Sequence, residues 1–451
     1  MTRDEVVQKA REAGARFIRF LYCDNAGLIR GKAVHIDVLP DRLRNGVGLP
    51  IAVQGLNVLD QMQPVENLGP VGEVRLMPDT ATFIPLPYVP HQGALNCDLV
   101  DADGAPWPLD PRSLLRYHID RAANRAIGVQ AAFENEFTLV TRTPEGQYLP
   151  FDQSLAYSGV GMTNAAGFID DLASMLEQQG LAVEHYHPEH GHGQQELSIR
   201  HADAMRAADN QVTFRETVRG TANKHGLLAS FAPKPFPDQP GNGAHIHFSL
   251  WDAQFVKNRL YDPEALYGLT PLARHFIGGV LAHLPALLAL TCPSYNSYRR
   301  LHQPRSWTSA FTAWGPDNRE AAVRVASGLW SNDARSVNLE LKPVDPSCNP
   351  YLALAGLIAA GLDGVDKELD PGEPLQTDPA NLSNEEREAR GIQRLPTNQM
   401  EAVLALRSDK VMMEALGPEL ASAYLTVRTS EYSAFRRETT GFEIQHHMLK
   451  F

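Results

Sequence analysis

Glu189-His190-Gly191-His192-Gly193-Gln194-Gln195-Glu196 sets two carboxylates at the ends of a stretch rich in imidazole and glycine. Upstream stands Glu134-Asn135-Glu136, and downstream His245-Ile246-His247. Alternate residues of a β-strand share a face, so each flanking pair aims two ligating side chains at one point. On its own, a Glu-x-Glu is ordinarily a solvated strand face, and a His-x-His a pair of half-buried structural imidazoles. Here Ala131-Ala132-Phe133 precedes one pair and Phe248-Ser249-Leu250 follows the other, which marks both as core strands. Carboxylates buried there without a partner are too costly, so they call for a cation. Oxygen-rich ligation with an imidazole or two favours magnesium or manganese over zinc. The sequence predicts a metal-dependent enzyme.

Composition narrows the class. The 451 residues include 43% hydrophobic side chains, enough for a full core and too many for a disordered chain. A formal net charge of -12 argues against nucleic acid, whose phosphates need a basic surface. Cys23, Cys97, Cys292 and Cys348 lie far apart, with no Cys-x-x-Cys pair, and indicate neither a zinc ribbon nor a disulfide framework. The start, Met1-Thr2-Arg3-Asp4-Glu5, lacks the apolar run of a signal peptide. The most apolar stretch, Ile277 to Cys292, is broken by His283 and Pro285 and falls short of the ~20 residues of a membrane span. A cytoplasmic enzyme without membrane or nucleic-acid partners is expected.

Along the chain, residues 1 to about 15 read as an amphipathic helix, and Phe17 to Tyr22 as a strand. Asp24-Asn25-Ala26-Gly27 reads as a turn into a second strand through Ala33-Val34. Prolines at 85, 87, 90, 106, 108 and 111 punctuate the chain and set a boundary near 105, with a small domain over 1–105 and a large one over 106–451. Asp110-Pro111 is a helix start, and a further helix is predicted from Asn164 to Gln179. Strands and helices alternate without regular βαβ repetition, which predicts an α+β fold with a curved antiparallel sheet. No Gly-x-Gly-x-x-Gly or P-loop occurs, so a nucleotide needs another cradle. Residues 366–395 read as a solvated excursion, and 398–437 return to helical spacing.

The order and wording of these segments resemble the glutamine synthetase superfamily over nearly the whole chain. Phe133-Glu134-Asn135-Glu136-Phe137 is similar to its Pro-Glu-x-Glu-Phe strand, and Gly193-Gln194-Gln195-Glu196 to its Gly-Gln-x-Glu element. Phe231-Ala232-Pro233-Lys234-Pro235 and His245-Ile246-His247-Phe248-Ser249 resemble its Met-Pro-Lys-Pro loop and His-x-His-x-Ser strand. Asn296-Ser297-Tyr298-Arg299-Arg300-Leu301, Asn318-Arg319 with Arg324, and Asn349-Pro350-Tyr351-Leu352-Ala353 repeat three more signatures.

The resemblance implies a β-grasp-like N-terminal domain before a glutamine synthetase-type catalytic domain. It also implies a homo-oligomeric ring, a dodecamer, with each active site shared between neighbouring subunits. Carried across by motif, Glu136, Glu189 and Glu196 hold one metal ion, and Glu134, His245 and Glu340 the other. The ions are Mg2+ or Mn2+, and the co-substrate is ATP. His247, Ser249, Arg324 and Arg335 fall at nucleotide-contacting positions. Gly241, Arg300, Arg319 and Lys342 fall at the glutamate site, with Arg319, Arg300 and Glu196 in the catalytic roles. Phosphorylating a carboxylate gives it a good leaving group, and metals and arginines neutralise the phosphates during transfer.

Departures from the pattern point to the acceptor. Glutamine synthetases gather ammonium with two acids, and at the matching places this chain has Gly48-Leu49-Pro50-Ile51 and Arg305-Ser306-Trp307-Thr308. Without an acid to take ammonium's proton, ammonia use suffers. Apolar bulk suits a substituted amine instead. The expectation is a γ-glutamylamide ligase of nitrogen metabolism, joining glutamate to a primary amine through γ-glutamyl phosphate, with Pro50, Ser306 and Trp307 lining the amine pocket. Lys342 stands where the family has an arginine, which alters how the donor carboxylate is held. The alternatives are a glutamine synthetase using ammonium and a catalytically silent structural or binding relative. An iron facial triad of two histidines and a carboxylate leaves the remaining acids and arginines unexplained.

Overall fold

The computed structural model describes residues 1–301, 307–326, 334–438, 440–441 and 450. Helix α1 (Arg3–Glu12) starts at Thr2, whose hydroxyl accepts from Glu5 N–H in a reciprocal capping box. Strands β1 (Phe17–Cys23) and β2 (Ile29–His35) form a hairpin, followed by α2 (Leu39–Asn45), β3 (Val47–Pro50), β4 (Glu73–Pro78), β5 (Ile84–Pro85) and β6 (Gln92–Val100). They make a sheet in the order β2-β1-β6-β4-β3, with β5 also on β6. The β1–β6 pair is parallel and lies inside otherwise antiparallel pairings, which gives the β-grasp-like arrangement. Val6, Ala10, Leu39 and Leu43 of the two helices bury against Ile18, Phe20, Leu76 and Leu95 of the sheet.

The larger domain opens with α3 (Pro111–Ala123), where the Asp110 carboxylate accepts from Arg112 and Ser113 N–H as its sequence position demands. Its spine is β7 (Gly128–Arg142), followed by β8 (Tyr148–Pro150), α4 (Gly159–Gln178), β9 (Val183–Pro188), β10 (Gln194–Ile199) and β11 (Ala202–Asp203). Next come α5 (Ala204–Lys224), β12 (Leu228–Ser230), β13 (Ile246–Trp251), α6 (Pro271–Thr291) and α7 (Ser297–Leu301). Then β14 (Trp314–Pro316), β15 (Val323–Ala326) and β16 (Asn338–Leu341) complete a sheet in the order β14-β15-β16-β13-β7-β10-β9. Short β8, β11 and β12 add to β7. Helices α8 (Pro350–Asp366), α9 (Asn384–Ala389), α10 (Gln399–Ser408), α11 (Lys410–Leu416) and α12 (Pro418–Arg437) follow among the described residues. The main core joins Phe133, Ile246, Phe248, Leu339 and Leu341 of the sheet to α6 and α8.

Several expectations need correction. Pro285 does not break α6, which runs unbroken from Pro271 to Thr291. Proline removes one backbone donor, and burial of the helix against α8 outweighs that loss. By length and composition α6 could cross a membrane, yet 67% of its most apolar window is buried within the fold. The α4 helix begins at Gly159 rather than Asn164, because the Ser158 hydroxyl caps Gly161 N–H. The 366–395 excursion is more than a surface loop. Leu375 and Leu395 are buried, and Asn318 donates to the carbonyls of Leu375 and Thr377.

Buried arginines lock the small domain to the large one. Arg112 of α3 pairs with Asp79 (2.7 Å) and Asp98 (2.6 Å) of the first domain and with Asp209 (2.9 Å) of α5. Arg215 donates to the carbonyls of Gly27, Pro346 and Cys348, and Arg428 to that of Asn25. Gly27 must be glycine at this junction, since a Cβ would lie 2.3 Å from the Ser347 carbonyl oxygen.

Candidate active site

Strand register assembles the site. Glu136 of β7 lies opposite Glu196 of β10, which lies opposite His187 of β9. On the other side, Glu134 N–H donates to the His245 carbonyl (2.9 Å), His247 of β13 faces Glu340 of β16, and Glu340 faces Arg324 of β15. Side chains scattered over two hundred positions thus become cross-strand neighbours. Two clusters result, Glu134 with His245 and Glu340, and His187 with Glu189 and Glu196, each with ligating atoms within 4.8 Å of one another.

The electrostatics suit a bound cation. Burial, reinforced by Glu134, Glu136, Glu189 and Glu340, pushes the Glu196 carboxyl up to about 10. Glu136 is also raised, chiefly by burial. Glu340, although buried, is held well below the usual range by Lys342 and His245. Its oxygens accept from Lys342 Nζ (3.0 Å) and Arg324 (2.7 Å). Glu134 likewise stays low despite burial, hydrogen-bonded to His245 Nδ1 (2.9 Å). A carboxylate group this crowded fits divalent cations, which satisfy several anions at once.

Glycine keeps the centre open. A Cβ on Gly243 would come within 2.7 Å of an Arg300 nitrogen and of Glu136 Oε1, and 2.8 Å from His245 Nε2. A Cβ on Gly241 would lie 2.0 Å from the Pro233 carbonyl oxygen. Arg300 is buried, meets His245 Nε2 at 3.1 Å, and leaves Nη1 without a hydrogen-bond partner, a buried donor suited to an anion.

Two cavities flank the clusters. One of about 320 Å3 is lined by Glu134, Glu136, Glu189, Glu196 and His245 together with Gly241, Arg300, Arg319, Lys342 and Trp307. The other, of about 470 Å3, takes Glu134, His247, Ser249 and Arg335. The structure therefore brings together most of the sequence-derived residues. Glu340 and Arg324 line neither cavity but bond each other at 2.7 Å within the cluster, whereas Pro50 sits exposed at the end of β3 and lines neither cavity. Ser306 lies outside the described residues.

Sequence reasoning missed other lining groups. His187 bonds Glu189 (2.9 Å) and approaches Glu196 (3.8 Å). Its signal was available, because His185-Tyr186-His187 repeats the alternation of His245-Ile246-His247. Gln194 donates to Glu136 Oε2 (2.6 Å) and to the Gly241 carbonyl (3.0 Å). Tyr157 stacks on His187 with centroids 4.6 Å apart, a contact that no local pattern announces.

Comparison with known proteins gives the class that this fold and site define. The catalytic domain of glutamine synthetase, as a family model, matches residues 108–447, and the glutamine synthetase N-terminal domain matches residues 1–107. The chain belongs to the glutamine synthetase family and is a ligase that forms carbon–nitrogen bonds. That family generally uses ATP and divalent metals. Gamma-glutamylpolyamine synthetase GlnA3 of Streptomyces coelicolor is 39% identical over 421 residues, 93% of this chain and 90% of that protein. Glutamine synthetase of Halobacterium salinarum is 36% identical over 454 residues, 99% and 96% of the two chains. Among solved structures, a complex of GmaS with ADP superposes with a TM-score of 0.87 at 30% identity, covering 98% of this chain and 99% of that one.

Proposed function

We propose that this enzyme joins the γ-carboxyl of glutamate to a primary amine, using ATP, through γ-glutamyl phosphate. One observation carries the reading. Among the described residues lining the 320 Å3 cavity, the acids Glu134, Glu136, Glu189 and Glu196 all belong to the metal-binding set, and the acceptor side presents Trp307 and Tyr157. No acid is left there to gather ammonium and take its proton.

Glu136, Glu189 and Glu196 would hold one ion and Glu134, His245 and Glu340 the other, as Mg2+ or Mn2+. Bound ions clamp and neutralise the phosphates during transfer. His247, Ser249 and Arg335, which line the 470 Å3 cavity, would take the nucleotide, and nucleotide binding itself is supported by the ADP complex of the solved relative. A glutamate γ-carboxylate oxygen attacks the terminal phosphorus and ADP leaves. Arg319 neutralises the transferring phosphoryl group and Arg300 holds the α-carboxylate. The amine lone pair then attacks the acyl carbon, phosphate departs, and the amide nitrogen releases its extra proton. Lys342 acts chiefly through Glu340, to which its ammonium is bonded.

A cytoplasmic ring oligomer, a dodecamer in the resemblance, completes the reading. In it Pro50 of one subunit reaches the neighbour's amine pocket, beside Trp307 and Ser306. A glutamine synthetase using ammonium is the second reading, favoured by the Halobacterium relative. Phosphate release from ATP, measured with glutamate fixed and a panel of ammonium and primary amines, decides between them. Amines should win, and a clear preference for ammonium rejects the proposal.

A further inference from the structure

The mouth of the 320 Å3 cavity carries three rings that the metal chemistry does not use. Tyr157 and His190 meet with centroids 6.2 Å apart at 89°, and His190 and Trp307 at 5.6 Å and 78°. In each contact the edge of one ring meets the face of the other, so the three rings turn a corner at the cavity instead of stacking in parallel, and the exposed surfaces of Tyr157 and Trp307 border its opening. Tyr157 gives one face to His187 yet stays 55% exposed, and Trp307 stays 44% exposed. Both take left-handed backbone, with φ of 56° and 53°. That conformation is costly for a bulky side chain and persists where surrounding structure enforces it, commonly at ligand clamps. Two such aromatics at one cavity mouth, joined through a third ring, mark a built feature.

The chemistry of this corner follows from the ring quadrupole, whose negative face attracts cations. Trp307 already has the Arg319 guanidinium 5.8 Å from its ring centroid. The cation that the corner serves cannot be the reacting nitrogen, because attack on an acyl phosphate needs a free lone pair and ring faces favour the protonated form. Tyr157 also stacks on His187, which bonds Glu189, so the rings adjoin the carboxylate group instead of forming part of it. An alkyl end would seek full burial, whereas a half-open corner lets a charged end keep part of its hydration.

We propose that Tyr157, His190 and Trp307 cage a second, non-reacting ammonium of the acceptor, so that the acceptor class is an aliphatic diamine or longer polyamine. This rests on the amine-ligase reading above and goes beyond it by fixing where the distal charge sits. No distal acid is required, because ring faces take its place.

The test compares 1,4-diaminobutane with n-pentylamine, a chain of similar length ending in methyl, using the full-length enzyme. Wild type should favour the diamine in kcat/KM by about tenfold or more, the scale of a partly desolvated cation–ring contact. Tyr157→Leu should bring the ratio close to one, mostly through amine KM, while Tyr157→Phe, which keeps the ring face, restores it. Trp307→Leu should act in the same direction, with an added fall in kcat through Arg319. Equal use of both amines by wild type, or identical ratios for Tyr157→Leu and Tyr157→Phe, overturns the cage and leaves the amine-ligase reading standing. Turnover with ammonium alone overturns both.

Discussion

Glu196 sits among four other carboxylates that, with burial, favour its neutral form. A carboxyl raised from 4.5 to about 10 releases its proton on unfolding at every pH between those values. In metal-free protein it therefore lowers stability as pH rises through that window. Glu196→Gln removes the ionisation and keeps the shape. With a chelator present, the variant should melt higher than wild type at pH 8, and the two melting temperatures should converge toward pH 5. The same substitution should cut ATP turnover by at least ~100-fold at saturating magnesium, more than losses at groups that only orient ligands. Calorimetry and phosphate release check the two halves, and near-normal turnover would remove Glu196 from the metal set. Opposite effects on stability and activity are expected where function requires crowded charge.

At the scale of elements, α6 is held by more than apolar packing. His283 bridges Asp409 (2.7 Å) near the start of α11 and Asp363 (2.9 Å) of α8. Burial opposes its protonation, but the two carboxylates win and raise the imidazole above its usual 6.5. A raised folded pKa means that the contribution is fully present below about 6.5 and is lost as pH climbs through the folded value. His283→Gln should therefore cost about 2–3 kcal/mol near pH 6, below the ~3–5 kcal/mol of a fully buried pair because the site is partly solvated. The deficit should shrink toward pH 9. Urea titrations at the two pH values measure it, and a deficit independent of pH would show that the imidazole is neutral throughout.

For the molecule as a whole, the arginine clamps decide whether the two domains behave as one. Arg112 compensates Asp209, which is itself buried, and also ties Asp79 and Asp98. Arg112→Met leaves Asp209 and Asp79 without their cation, while Asp98 keeps Arg116, and should cost about 3–5 kcal/mol. Its urea unfolding should separate into two transitions, the first reporting loss of domain docking. One cooperative transition with an unchanged midpoint would contradict this account. Assembly is a separate matter. Among the described residues Pro50 lines neither of the two site cavities, so its proposed role depends on a neighbouring subunit. Sedimentation with activity measured on each species tests that dependence, and a fully active monomer rejects it.

Sequence alone was sufficient for the α+β class and the family, because those depend on periodic elements and on ordered motifs. Glu134-Asn135-Glu136 and His245-Ile246-His247 needed only the strand period to be read as converging ligands. The cap at Asp110 was legible for the same local reason. Tertiary structure alone decided whatever depends on neighbours distant in the chain. It carried α6 through Pro285, because packing against α8 outweighs one missing hydrogen bond. It turned Arg324 and Lys342 onto Glu340, because buried charge takes the nearest partner. It set Tyr157, His190 and Trp307 around one cavity mouth, which no window of sequence contains. Short-range periodicity is written along the chain, whereas the partner of a buried charge or an exposed ring is settled only when the sheet's register brings remote strands together.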